Sequence, residues 1–259
     1  WRRETYVDVI AELLEGFEWI ERDLFGYHQV VTSELRPLRP GVIAAEARFL
    51  KENTDRKVKV ALPSPYLIGQ RMWEPGYSEG AYSTREAFCE ALIPVLREEL
   101  LAIRDVGVDV IQLDEPHLCV LVDPEVRATF DDPEVEMANA VDWINAIVEG
   151  VEGVQLAVHL CRRAGARVRG DACYSGDFSP IIDQLNRLGV HHLTMEFTSP
   201  GAGEVEVFRR LRTRGTAAAV TAAVLFGAHI VRVHAVAPHL DVVRVADAIR
   251  AHASAEVPA

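Results

Sequence analysis

Apolar strand-like segments alternate with amphipathic helical segments along this chain, and this alternation constrains the fold more than any other feature. The segments VDVIQLDEP (108–116), VQLAVHLC (154–161) and VHHLTMEF (190–197) are typical of buried strands. Helical patterns separate them, including the longest, over residues 83–107, and one over residues 134–149. Strands that are joined through helices pair in parallel and are covered by those helices. The sequence therefore predicts an α/β fold built on a parallel sheet.

The number of strands decides between two architectures. We expect a (β/α)₈ TIM-type barrel, complete or truncated, formed by residues 1–259 as a single domain. An open doubly wound sheet is the alternative, because a closed barrel needs eight strands. Residues 4–17 are predicted to be helical rather than extended. The predicted strands are HQVVTSEL, KVKVALP, VDVIQLDEP, VQLAVHLC, VHHLTMEF and HIVRVHAV.

Composition excludes some classes of function. The formal net charge of −12 argues against a nucleic-acid surface, and no apolar run is long enough to span a membrane. The four cysteines do not form a dense disulfide pattern, so a reducing, cytoplasmic setting is expected. We expect small-molecule partners; the sequence does not indicate an oligomeric state.

Polar residues follow the predicted strands at their carboxyl ends, where parallel α/β folds place their chemistry. His159 and Cys161 are two residues apart and therefore face the same side of a strand, and Glu196 ends the next strand. Histidine nitrogen, cysteine thiolate and glutamate oxygen are all zinc ligands, and thiolate favours zinc over magnesium. The pattern predicts a zinc site, against the alternative of a core histidine beside a buried free cysteine.

The motifs VIQLDEP (110–116), HLCRR (159–163) and LTMEF (193–197) resemble, in this order and spacing, the catalytic barrel of cobalamin-independent methionine synthase and its relatives. The segments at 1–17 and 59–73 are also similar to that family, and the resemblance covers residues 1–211. It implies a (β/α)₈ barrel, a catalytic zinc, and methyl or alkyl transfer to a thiol such as homocysteine, with methyltetrahydrofolate as co-substrate.

The resemblance also implies roles for single residues. His159, Cys161 and Glu196 match zinc ligands, and Asp114 matches the carboxylate that holds the amino group of homocysteine. Trp73 is a looser match to a tryptophan near the folate, and Tyr66 is a second aromatic residue able to stack on a pterin. Glu115 is open to a structural role instead, since Pro116 fixes the turn that follows it.

Two departures from the family pattern concern the ends of the chain. The family's first strand is absent, and no cysteine follows Cys173 to serve as the family's fourth zinc ligand. Cys173 is either a substitute for that ligand or an ordinary loop thiol. A catalytic zinc needs only three protein ligands, so three remain sufficient.

The C-terminal segment resembles a different family. The stretch GTAAAVTAAVLFGAHIVRVHAV (215–236) is similar to the end of dihydropteroate synthase, and this resemblance covers residues 214–252. It implies that Arg232 and His234 bind a pterin diphosphate, and that residues 212–259 close the barrel. A pterin-binding transferase and a non-catalytic barrel are therefore the two alternatives to the zinc methyltransferase.

Overall fold

The computed structural model describes residues 6–22, 26–161, 176–196 and 210–211. None of the helices within these ranges is both long and apolar enough to cross a membrane. The elements in chain order are a 3₁₀ turn at Tyr6–Val9, α1 at Ile10–Leu13, β1 at Leu14–Arg22, β2 at Gly26–Pro37, α2 at Val42–Glu52, β3 at Lys59–Pro63, α3 at Pro65–Met72, α4 at Arg85–Asp105, β4 at Val110–Asp114, α5 at Pro116–Val120, α6 at Pro124–Arg127, α7 at Pro133–Val148, β5 at Gln155–Leu160, a 3₁₀ turn at Ser179–Ile181, α8 at Ile182–Leu185, and β6 at His192–Met195.

The first two strands form an antiparallel hairpin that is separate from the main sheet. The prediction of a helix over residues 4–17 is wrong from Leu14 onward, where β1 begins. Gly16 has a φ of 119°, and the β1–β2 register shifts between Glu15 and Phe17. A residue with this backbone angle breaks a helix, and cross-strand pairing with β2 then outweighs the local helical pattern. The predicted strand HQVVTSEL lies within β2, and is therefore not a strand of the parallel sheet.

The main sheet has four parallel strands in the order β3, β4, β5, β6. This confirms a parallel α/β fold over the described residues. Leu62, Leu113, Val158 and Leu193 are paired across the four strands, and each is at most 1% exposed. Together with their neighbours on the same side, they make one face of the sheet wholly apolar. The helices pack on this face. A shift of one residue in the pairing of a strand would move its apolar side chains to the opposite face of the sheet, so their burial fixes the register.

Two helices covering the sheet begin at side-chain caps that the sequence signals. Thr84 accepts a hydrogen bond from Ala87 N at the start of α4, and Asp132 accepts from Glu134 N and Val135 N at the start of α7. Helix α4 continues through Pro94, and Gly107 follows it with a φ of 83°. The helices predicted over residues 83–107 and 134–149 are therefore confirmed.

Helix α2 begins without a side-chain cap of its own, because Gly41 occupies the N-cap position. Glu99, buried in α4, takes that role by accepting hydrogen bonds from Gly41 N, Ile43 N and Ala44 N at 2.7, 2.8 and 2.9 Å. A carboxylate at a helix N-terminus also interacts favourably with the helix dipole. This contact joins α2 to α4 across more than 50 residues of sequence.

Candidate functional site

The second face of the sheet carries polar side chains at its carboxyl end. Asp114, His159 and Thr194 are paired across β4, β5 and β6, so their side chains lie on the same face at the same level. Cys161 and Glu196 follow β5 and β6 by one residue each and have the same parity. The prediction placed Asp114, Cys161, Glu196 and His234 at the same end of parallel strands; it is confirmed for the first three, and His234 lies outside the described residues.

Cys161 and Glu196 are in direct contact. The Sγ of Cys161 lies 3.3 Å from Oε2 of Glu196, to which it donates a hydrogen bond. The backbone brings them together, since Glu196 N donates to the carbonyl oxygen of Leu160 at 3.2 Å. A thiol and a carboxylate from neighbouring strands thus share one small volume at the edge of the sheet.

His159 points toward Asp114. Its Nδ1 lies 3.4 Å from Oδ1 of Asp114, and this nitrogen is buried without a hydrogen-bond partner among the described residues. Within the same part of the chain, no group of three His, Cys, Asp or Glu side chains is assembled in a way that could hold a metal ion. The structure therefore joins Cys161 to Glu196 and His159 to Asp114, as two neighbouring pairs.

Asp114 is held by a polar side chain from its own strand. Gln112 Nε2 donates to Asp114 Oδ1 at 2.6 Å, and Thr194 Oγ1 donates to Gln112 Oε1 at 3.2 Å. Gln112 and Asp114 are 5% and 6% exposed, so these hydrogen bonds lie away from bulk water. Sequence reasoning missed Gln112 and Thr194. The sequence offered one signal for Gln112: it is the single amide side chain in the apolar strand VIQLD, two residues before Asp114.

Glu115 is completely buried and serves as a structural link. Its carboxylate accepts a hydrogen bond from Ser64 Oγ and further hydrogen bonds from His117 N and Leu118 N at 3.1 and 3.0 Å. Burial raises the pKa of Glu115 to about 7, although these hydrogen bonds act in the opposite direction. Its backbone N–H donates to the carbonyl oxygen of His159 at 2.9 Å. Glu115 therefore ties together the ends of β3, β4 and β5.

The two aromatic residues considered for folate binding have different surroundings. Trp73 is partly buried at the end of α3, where its Nε1 donates to Tyr82 O at 3.0 Å. Tyr66 is 1% exposed, with its ring 6.2 Å from that of Trp143. Burial, followed by the nearby carboxylate of Glu136, raises the pKa of Tyr66. A role for Tyr66 in stacking on a pterin is therefore wrong, because the packed core covers its ring.

Three residues singled out in the sequence lie outside the described residues, namely Cys173, Arg232 and His234. The predicted strand HIVRVHAV and the helices around it lie there too. Their roles remain predictions from the sequence.

Comparison with known proteins gives a consistent result. Residues 2–218 match the sequence profile of a family described as the catalytic domain of cobalamin-independent synthase. The methionine synthase of Sulfolobus acidocaldarius is 26% identical over an alignment of 215 residues that covers 81% of this chain and 54% of that protein. The 5-methyltetrahydropteroyltriglutamate–homocysteine methyltransferase of Vibrio vulnificus is 24% identical over an alignment of 205 residues that covers 75% of this chain and 23% of that protein. The chain thus spans about half the length of the first relative and less of the second.

Solved structures agree on the fold. A B12-independent methionine synthase from Shewanella superposes with a TM-score of 0.60 at 20% identity, over 81% of this chain and 60% of that one. A B12-independent methionine synthase from Listeria monocytogenes, described as putative, gives a TM-score of 0.54 at 21% identity, over 75% and 57%. The comparisons do not support the resemblance of residues 214–252 to dihydropteroate synthase, and the family match ends at residue 218.

Proposed function

We propose, from the premise that this chain belongs to the catalytic-domain family of the cobalamin-independent synthases, that it transfers a methyl group from a reduced folate to a thiol. The Vibrio vulnificus relative is named for transfer from a methyltetrahydropteroyl donor to homocysteine, and the Sulfolobus acidocaldarius relative is named methionine synthase. We take methyltetrahydrofolate as the donor and homocysteine as the first acceptor to test. The contact between Cys161 and Glu196 beside Asp114 carries the proposal.

Zinc is the metal that the thiolate and carboxylate of Cys161 and Glu196 favour, and His159 would turn from Asp114 toward them to complete three ligands. Ligand atoms at zinc–sulfur and zinc–oxygen distances of about 2.3 and 2.1 Å lie about 3.6 Å apart in a tetrahedral site. The observed separation of 3.3 Å between Cys161 Sγ and Glu196 Oε2 is close to that value. His159 is the third proposed ligand, because it shares a face with Cys161 and has a buried ring nitrogen without a hydrogen-bond partner among the described residues.

The chain's own residues would orient the reactants. Asp114 would hold the ammonium group of the acceptor by a charge-assisted hydrogen bond, and Trp73 would present an aromatic face to the pterin. When bound, zinc would keep the acceptor sulfur deprotonated at neutral pH, since a free alkyl thiol has a pKa of about 8.5. In the proposed transfer, the acceptor sulfur would bond to the methyl carbon as the bond to the folate nitrogen breaks. That nitrogen would keep the electron pair and take up a proton, which balances the proton that the acceptor thiol releases.

The proposed architecture is a (β/α)₈ TIM-type barrel, complete or truncated, formed by residues 1–259 as a single domain, with residues 212–259 as the closing segment. Four consecutive parallel strands with an apolar outer face and a polar carboxyl edge support this proposal. A cytoplasmic location fits Cys89 and Cys119, which are buried in the core and not joined in disulfides. We do not propose the function of a pterin-binding transferase, because that alternative depends on Arg232 and His234 alone.

The proposal is tested by metal content and by activity. The purified wild type should contain one zinc ion per chain, and Cys161→Ser should contain far less. Cys119→Ser is the matched control, since Cys119 is buried in α5 and should leave the metal content unchanged. Methyl transfer from methyltetrahydrofolate is then measured with homocysteine and with coenzyme M. A zinc-loaded wild type that methylates neither thiol would remove the enzyme proposal.

A further inference from the structure

A chain of hydrogen bonds crosses the polar face of the sheet from β6 to β4. Thr194 donates to Gln112, and Gln112 donates to Asp114, with donor–acceptor distances of 3.2 and 2.6 Å. Thr194 is 82 residues from Gln112 in the sequence, so these hydrogen bonds form only in the folded sheet. We propose that Gln112, oriented by Thr194, is a positioning residue that presents the Asp114 carboxylate to the amino group of the acceptor. This inference rests on the proposed function.

The direction of each hydrogen bond follows from chemistry. An ionised carboxylate only accepts hydrogen bonds, so the Gln112 amide must turn its NH₂ group toward Asp114. Its carbonyl oxygen then faces Thr194, whose hydroxyl group must donate. With the amide reversed, the Gln112 oxygen would lie against the carboxylate oxygen and repel it. The Asp114 carboxylate therefore selects the amide orientation, and Thr194 stabilises it by donating to the outward-facing Gln112 oxygen.

The two carboxylate oxygens of Asp114 therefore have different roles. Oδ1 accepts from Gln112 and lies 3.4 Å from His159 Nδ1. Oδ2 has no hydrogen-bond partner among the residues that the structure describes. An ammonium group carries three donors and needs an ionised acceptor held at a fixed place. Because Gln112 fixes Oδ1, Oδ2 is left in a defined position for that ammonium group.

Gln112 differs in position and burial from Gln155, the other glutamine in the described strands of the parallel sheet. Gln112 is 5% exposed and lies two residues before Asp114, whereas Gln155 is exposed at the opposite end of the sheet, where its Oε1 meets His192 Nε2. A buried amide fixes its partner better than a solvated one, because water cannot compete for the hydrogen bond. Gln155 therefore provides a matched control for the same substitution.

The test compares two acceptors that differ only in the amino group. Homocysteine carries it, and 4-mercaptobutyrate has the same length and carboxylate without it. Dissociation constants for both are measured by calorimetry on zinc-loaded protein, for the wild type, Gln112→Leu, Thr194→Val and Gln155→Leu. We expect the wild type to bind homocysteine more tightly than 4-mercaptobutyrate. In Gln112→Leu, the ratio of the two dissociation constants should fall about tenfold, which corresponds to the loss of one charge-assisted hydrogen bond.

The two matched variants sharpen the result. Thr194→Val keeps the shape of the side chain and the Gln112 amide, and should reduce the preference by a smaller factor in the same direction. Gln155→Leu should keep the wild-type preference. Binding of 4-mercaptobutyrate should stay within about threefold of wild type in all variants, because a selective loss for one ligand reports positioning rather than general damage.

Three outcomes would overturn the inference. Equal weakening of both ligands in Gln112→Leu would mean a purely structural role, and an unchanged preference would mean no role. A wild type without preference for homocysteine would remove Asp114 as the ammonium site, and the inference with it. Methyl transfer is assayed separately, so a protein that keeps the preference but transfers no methyl group would contradict the proposed function while the positioning role stands.

Discussion

Ser64 donates a hydrogen bond to the buried carboxylate of Glu115, and so joins the end of β3 to the end of β4. Both side chains are completely buried. The same carboxylate accepts from two backbone N–H groups at the start of α5. Glu115 therefore supports the strand end that carries Asp114, through contacts that do not involve a substrate.

Glu115→Ala should destabilise the protein strongly. The substitution leaves the Ser64 hydroxyl group and two backbone donors without partners in a buried place, which costs about 3 kcal/mol or more in the free energy of unfolding. Denaturant unfolding followed by circular dichroism measures this. Glu152→Ala, at an exposed position, is the control and should change stability by less than about 0.5 kcal/mol. Similar stabilities for the two variants would contradict the structural role of Glu115.

His117 should make stability depend on pH in the acid range. Burial, and then the charges of Arg71 and Arg85, lower its pKa to about 3 from 6.5. The unfolded chain therefore binds a proton below pH 6.5 while the folded protein does not, so this stability is fully present above pH 6.5 and is lost as the pH falls toward 3. The free energy of unfolding should change with pH by up to about 1.4 kcal/mol per pH unit, the value for one proton.

The measurement for His117 is a series of unfolding curves between pH 7.5 and about pH 4.5, the range in which a single buried imidazole is expected to act. His117→Gln should have a flatter dependence than the wild type, whatever its stability at neutral pH. Parallel curves for the two proteins would show that the His117 imidazole titrates as freely in the folded protein as in the unfolded chain.

Glu99→Ala should weaken the attachment of α2. Three backbone donors at the start of this helix lose their acceptor, and the loss of a helix cap that is also charged costs about 2 kcal/mol. Hydrogen exchange should increase most at Ile43 and Ala44. Glu98→Ala changes the preceding, exposed residue of α4 and should leave exchange in α2 as it is in the wild type.

Cys161 should be the most reactive of the three cysteines that the structure describes. Cys89 and Cys119 are completely buried, whereas Cys161 is partly exposed at the end of its strand. Burial also raises the pKa of Cys89, which suppresses its thiolate. Alkylation by iodoacetamide, followed by peptide mass spectrometry, should modify Cys161 first. Added zinc should slow that modification alone; equal rates with and without zinc would argue against Cys161 as a ligand.

Local pattern predicted the parallel strands and the positions of their polar ends. The apolar runs before Asp114, Cys161 and Glu196 are each consistent with a buried strand, and the period of two places His159 and Cys161 on one face. The helices at residues 83–107 and 134–149 followed from the local helical patterns between the strands. These features depend on neighbours within a few residues, which a sequence displays directly.

Other features depended on partners that are far apart in the chain. The segment after Leu14 became a strand because β2 pairs with it, and Tyr66 became a core residue because α7 brings Trp143 against it. No local pattern indicates such pairings, because their stabilising contacts form only when distant segments meet.

The sequence by itself determined the class of sheet, the family, and the carboxylate, imidazole and thiol groups available at one edge. Only the tertiary structure decided how these groups are held: Glu115 by Ser64, and Asp114 by Gln112 and Thr194. The physical reason is that the identity of a side chain fixes which hydrogen bonds it can make. Which of them it does make is fixed by the partners that the packed apolar face brings within reach, and by the exclusion of water that would otherwise compete.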